Sequence, residues 1–278
     1  MTFFEKIKYN FQQQDILAKI IIINVAIFLT LNIVGNLSHL NLLPYVAMPV
    51  GGYSFLYKFW TIFTYMFAHE NLGHIFWNMF LFYFTAQIFF TILGQKKMLY
   101  VYVMSGLCGG ALVLILGLLF PASFGNSLLL GASASVLGVG AVIAIYSPNY
   151  RIYLFGVIEM PYKYFYLVTF VVSTIIDLSV NTGGKISHIG GALFGVLYAY
   201  NLKKGSDLFN INLFSGRKKK LKIVSNNGGT GYSAGKTRDS EQVMNEILDK
   251  ISKSGYDSLT KKEKDELFKL SQKKWGLV

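Results

Sequence analysis

Apolar residues run through the first two hundred positions in six blocks, separated by short segments where glycine, proline and charged side chains collect. A helix that crosses a bilayer takes about 20 residues at a rise of ~1.5 Å each. The pattern therefore predicts six spans, near Leu17 to Gly35, Leu72 to Leu93, Leu99 to Phe120, Leu130 to Tyr146, Tyr164 to Leu178 and Ser187 to Leu202. The fourth and sixth are rich in glycine and alanine rather than leucine, which predicts helices buried among other helices. Between the first two blocks, 36–70 is strongly aromatic and nearly uncharged, and Pro44, Pro49, Gly51 and Gly52 break it into short pieces. Such a segment suits the headgroup region.

After Leu202 the pattern changes. Gly205 to Asp239 is Lys, Ser, Asn, Gly and Thr, a composition that buries no core and predicts a flexible linker. Ser240 to Ser254 and Leu259 to Lys273 then recur at helical spacing, with Ser240 or Asp239 as a cap, Gly255 as a stop, and Thr260 with Glu263 as a capping box. Ile247, Leu248, Ile251, Leu267, Phe268 and Leu270 form their apolar face. The predicted fold is thus an all-α membrane protein of six transmembrane helices over 1–204, a flexible linker over 205–239, and a small cytosolic helical hairpin over 240–278.

Composition agrees: 53% of residues are hydrophobic, 14% are charged, and the mean hydropathy is +0.44, outside the range of ordinary soluble domains. The net charge of +12 suggests nucleic acid, but the basic residues sit in short clusters between apolar runs and in the tail, so no nucleic-acid partner is expected. Lys6, Lys8 and Lys19 precede the first block; Lys96 and Lys97, then Arg151 and Lys163, divide later pairs; Lys203, Lys204 and Arg217 to Lys220 follow the sixth. By the positive-inside rule both termini are cytoplasmic. No small-residue cleavage site closely follows the first block, which reads as an uncleaved span. The single cysteine, Cys108, allows no intrachain disulfide and reads as a packing residue.

This orientation starts every even-numbered span on the outer side, so His69, His74 and Asn78, then Ser133, then His188 share one depth. Helical angles of ~100° per residue add facing. From His188, the residues Gly191, Ala192, Gly195 and Ala199 fall within about 60°; from Ser133, Gly140 and Ala144 fall within about 20°. Two such stripes allow close approach, which predicts Ser133 within hydrogen-bond reach of His188. Ser135 is about 200° away from Ser133 and faces elsewhere. The alternative for either serine is a hydroxyl bonded back into its own packed helix. An ionisable group inside a span, such as His188, is a functional candidate by default. His69 and His74 would stand about 140° apart on a helix, unlike the i, i+4 pair of a zinc motif, so no metal is expected. His74 and Asn78 are i and i+4, and an imidazole and an amide pointing together suit an oxyanion, though Asn78 alone also reads as a tie between helices. Of the acids, Glu159 falls on the cytoplasmic side and Asp177 near the surface, which leaves a Ser-His dyad.

These residues resemble the rhomboid intramembrane serine proteases, across roughly Leu17 to Leu202. The motifs are Gly131-Ala132-Ser133, Ser187-His188-x-x-Gly191-x-x-x-Gly195, and His69-x-x-x-x-His74-x-x-x-Asn78. The resemblance implies Ser133 as nucleophile, His188 as base, His74 and Asn78 with the oxyanion beside Gly131, and His69 as structural or site-shaping. It implies cleavage of transmembrane protein substrates within or beside their spans, without a cofactor, in a cell membrane, expected to be bacterial, with the active site toward the outer side. Three positions depart from the family pattern: Ala134 follows the serine, Thr61 follows Trp60 where many members have arginine, and Leu137 stands where an aromatic can stack on the histidine. The rival readings are a catalytically silent rhomboid-like protein that binds clients, and a transporter, whose polar groups would lie near the midplane. The sequence leaves the partner of the C-terminal hairpin unknown.

Overall fold

The computed structural model describes residues 3–50, 54–124, 127–176, 181–210 and 240–274. The chain divides into two compact units, 1–215 and 216–278.

In the first unit α1 spans Phe3–Gln13, and Asp15 then caps α2, Ile16–Leu29, by accepting the Ala18 N–H at 2.7 Å. A wider π turn, Thr30–Val34, continues α2. Asn71 caps α3, Leu72–Leu93, through the His74 N–H. Gly94, at φ 83°, turns the chain within one residue into α4, Gln95–Leu119. Then come α5, Ser133–Tyr146, and α6, Tyr162–Val171, which runs on as a second π turn, Val172–Ile176. Asn181 caps α7, Thr182–Lys203. Among the described residues, three helices are long and apolar enough to cross a membrane: Ile16–Val34, Leu72–Leu93 and Gln95–Leu119. The helices Ser133–Tyr146 and Tyr162–Ile176 are apolar but shorter.

Among the described residues, two small sheets join the helices. β1, Met48–Pro49, pairs antiparallel with β2, Leu128–Leu129, and so ties the segment after α2 to the residues just before Ser133. β3, Arg151–Leu154, pairs with β4, Ile158–Pro161, around Phe155 and Gly156, both at positive φ. This hairpin was not foreseen. Its alternation is only four residues long, with Ile152 inward and Arg151 and Tyr153 outward, too short to stand out beside the helical blocks.

The centre of the unit is the trio α4, α5 and α7, packed backbone to backbone. A Cβ on Gly190 would stand 2.9 Å from the Gly109 Cα, and one on Gly109 would stand 2.8 Å from the Ala134 Cβ. On Gly191 it would run into the Ala134 carbonyl, and on Gly195 into that of Gly138. The stripe of α7 is therefore Gly191 and Gly195, as its angles predict. Its seat on α5 differs from the predicted one: α7 lies on Ala134, Gly138 and Ala141, whereas Gly140 faces Tyr162 and Tyr166 of α6. Ser133 stands in the first turn of α5, and a helical side chain leans toward the N-terminus, so its hydroxyl meets α7 above a stripe that begins one residue later.

The packed unit also runs past Lys204, where composition alone would start the linker. Asp207 pairs with Lys97 at 2.7 Å and accepts hydrogen bonds from the Tyr198 hydroxyl and the Phe209 N–H. The Phe209 ring packs against Tyr100, with centroids 5.6 Å apart. Burial raises the Asp207 pKa, but the bonds from Lys97, Phe209 and Tyr198 outweigh it and hold the carboxyl below its ordinary value.

In the second unit, α8, Ser240–Ser254, ends at Gly255, with φ 80°, and α9, Lys261–Lys274, follows. Thr260 and Glu263 cap reciprocally: Glu263 accepts the Thr260 N–H at 2.7 Å, and the Glu263 N–H donates to the Thr260 hydroxyl at 3.4 Å. Lys250 donates to both Glu263 oxygens, and these bonds, the one from Lys250 first, bring the carboxyl down to about 2. Ile247 and Leu259 are buried. Asp177, most of the predicted linker and the Leu270 side chain lie outside the described residues.

Candidate active site

Ser133 opens α5, which no side chain caps, so the N–H groups of its first turn have no intrahelical acceptor. Two residues earlier, Gly131 has φ 115°. A Cβ there would stand 2.8 Å from His74 Nε2, so the position requires glycine for both conformation and space. The Gly131 N–H donates to the Tyr65 carbonyl at 3.0 Å, and the buried Tyr65 hydroxyl donates to the Gly106 carbonyl on α4 at 2.6 Å. Together with the β1 to β2 pairing, this holds the approach to Ser133.

His188, in the second turn of α7, reaches across. Its Nε2 stands 2.7 Å from Ser133 Oγ. Ser135 is fully buried, with its hydroxyl 3.9 Å from Met66 Sδ and close under Gly106, away from His188.

His69 precedes α3 instead of lying on it, so the helical angle to His74 does not apply; their rings meet edge to face, with centroids 5.0 Å apart. The His69 side chain is buried, and its Nε2 accepts the Ala132 N–H at 3.5 Å, one residue before Ser133. Burial first, and then the neighbouring His74 ring, push the His69 pKa down to about 3 against the Phe67 carbonyl, which keeps the ring a neutral acceptor. Asn78 donates to the His74 carbonyl of its own helix at 2.9 Å and makes no bond between helices among the described residues. His74, Asn78, Ser133 and His188 all line one cavity of about 980 Å³. Its walls also include Trp77 and Leu81 from α3, Val136 and Leu137 from α5, Thr169, Val172 and Ser173 from α6 and its π turn, and Glu70 from the segment before α3.

Two contributors went unread in the sequence. Tyr65 lay among nine aromatics with no mark to separate a strut from an interfacial ring. Thr174 is buried, with its hydroxyl 3.4 Å from His188 Nδ1; in the sequence it is one of several polar residues of its block, beside Thr169 and Ser173, and the π turn that aims it breaks the ~100° spacing. Among the described residues, no three His, Cys, Asp or Glu side chains group to hold a metal ion.

The structure thus places a serine hydroxyl on an imidazole, with a second imidazole and an amide around one cavity. The family model of the Rhomboid domain matches residues 57–205, more than half of the chain. The chain belongs to the rhomboid family. A second model, of a family of unknown function (DUF6576), matches residues 231–273, which include α8 and most of α9. No curated protein matches this rhomboid chain. Family and apolar helices together make it an integral membrane protein.

Proposed function

We propose that this protein is an intramembrane serine endopeptidase in which Ser133 and His188 act as a dyad. The observation that carries the reading is the 2.7 Å contact between Ser133 Oγ and His188 Nε2 on the wall of a large cavity. His188 takes the hydroxyl proton as Ser133 Oγ attacks a substrate carbonyl, and a tetrahedral oxyanion forms. The Ser133 N–H at the uncapped start of α5, His74 and Asn78 are the donors around it. His188 then gives its proton to the leaving amine as the peptide bond breaks. Water, activated by the same imidazole, hydrolyses the acyl-enzyme and restores the serine.

The substrates are transmembrane proteins, which enter from the bilayer between α3 and α6, where the cavity lies. A substrate helix must unwind there, because its own hydrogen bonds protect the peptide bond. In this reading the six helices α2 to α7 span the membrane, with both termini cytoplasmic and the cavity toward the outer side. The shorter α5 and α6 are tolerated because an aqueous cavity occupies part of the membrane depth above them.

The test is cleavage of a model membrane substrate by purified protein in liposomes. Ser133→Ala and His188→Ala should each abolish cleavage while remaining folded, and Ser135→Ala should keep it. Cleavage that persists in Ser133→Ala would end the dyad assignment, and a wild type that binds substrate without cutting it would favour a silent, client-binding role.

A further inference from the structure

Neutral imidazole carries one proton, and as a base toward Ser133 it must keep Nε2 bare and hold that proton on Nδ1. Leu137 stands one turn below the serine, so no aromatic ring at that place fixes the imidazole plane. We propose that Thr174 is a positioning residue of the site: its hydroxyl accepts the Nδ1–H of His188 and so helps fix both tautomer and ring orientation.

Three observations support this. The Thr174 Oγ1 to His188 Nδ1 distance is 3.4 Å, on the side of the ring opposite Ser133. Thr174 is 5% exposed, while Val172, Ile175 and Ile176 of the same turn are each more than half exposed, so the turn aims this residue inward. A threonine in an apolar helix ordinarily bonds back to a carbonyl of its own helix. The neighbouring hydroxyls do so, Thr169 to Phe165 at 2.9 Å and Ser173 to Phe170 at 3.3 Å, whereas the contact of Thr174 crosses to α7.

The π turn accounts for the difference. Widening the helix over Val172–Ile176 moves Thr174 off the ~100° spacing that would carry it on with α6. Such turns are frequent at functional sites. Thr174 touches no reacting atom and acts through His188.

The assignment rests on the protease reading for its catalytic consequence, so the experiment reads the imidazole and the reaction separately. The full chain is labelled with ¹⁵N-histidine, and with four histidines present the His188→Ala spectrum identifies the His188 signals. Wild type and Thr174→Ser should show Nδ1 protonated and Nε2 bare. Thr174→Val, which keeps the shape without the hydroxyl, should mix the two tautomers. Thr174→Ala is measured in parallel, in case valine perturbs the turn. On the same samples, the valine and alanine variants should lose about two- to tenfold in kcat, the worth of one neutral hydrogen bond, with KM unchanged and recovery in serine. Wild-type spectra in both valine and alanine variants would overturn the role. Tautomers that respond as expected in a protein that never cleaves would support the hydrogen bond and sink the protease reading instead.

Discussion

The two sides of this helical unit are built on opposite rules. On one side α4, α5 and α7 meet backbone to backbone, with Gly109, Gly138, Gly190, Gly191 and Gly195 leaving no room for a Cβ. On the other, α3 and α6 approach through bulky rings, Phe84 and Phe165 at 5.3 Å, and through the Tyr162 and Thr85 hydroxyls at 3.2 Å, all toward the end remote from Ser133. At the Ser133 end the cavity separates Trp77 and Leu81 from Val172 and Ser173. A packed interior shifts between discrete arrangements and does not deform smoothly. Ser133 and His188 come from two helices of the tight side, so their separation is set by backbone contact. The open side holds the cavity. The comparison teaches that one small unit fixes the Ser133 to His188 separation by concentrating glycine along three helices and leaving aromatics along a pair.

The largest expected effect breaks the tight side. Gly191→Val drives two methyl groups toward the Ala134 carbonyl, which has no free side chain to move. Overpacking of this kind costs about 3 kcal/mol or more and should separate Ser133 from His188. Val172→Ala, on the exposed cavity wall, should stay within about 0.5 kcal/mol. Thermal unfolding of both variants in detergent checks the contrast, and equal melting would remove it.

Next is Asn78, the amide on the cavity wall. Asn78→Ala should lower turnover about 100- to 1,000-fold, roughly 2.7 to 4 kcal/mol, with little change in substrate binding, because an oxyanion donor acts mainly where charge develops. Its described bond stays within its own helix, so the melting temperature should change little. A mutant that melts early yet turns over normally per folded molecule would take Asn78 out of the site.

The last effect is absent at neutral pH and emerges only as the pH falls; it concerns His69, which braces the Ala132 N–H on the tight side. Its folded pKa is lowered from 6.5 to about 3, so between those values the unfolded chain binds a proton that the folded one refuses. That contribution to stability is whole above pH 6.5 and declines as the pH falls toward 3. Melting temperatures followed over this range should slope less in His69→Gln than in wild type, and parallel slopes would contradict the account.

Much of this architecture was legible in the residue pattern because membrane helices announce themselves by length and apolarity, and glycine spacing marks close approach. His188 and the Gly191 to Gly195 stripe could be read from ~100° geometry, since α7 is regular over those turns, whereas the stripe that the same angles put under Ser133 runs through Gly140, which faces α6. What periodicity cannot carry is irregular backbone. The π turn that brings Thr174 to His188, the brief β3 to β4 hairpin, the coil placement of His69 and the return of Asp207 to Lys97 all depend on departures from regular spacing or on contacts distant in sequence. The seat of α7 on Ala134 and Gly138, in place of the predicted Gly140, is a related case, in which side-chain lean decides which stripe is used.

The central claim is that the 2.7 Å contact makes Ser133 a nucleophile. The direct measurement is covalent labelling of the full-length protein by a fluorophosphonate probe, with the modified residue located by mass spectrometry. The account predicts one adduct on Ser133, absent in Ser133→Ala, strongly reduced in His188→Ala and unchanged in Ser135→Ala. Wild-type labelling that persists in Ser133→Ala, or a folded wild type that takes no label at all, would contradict it.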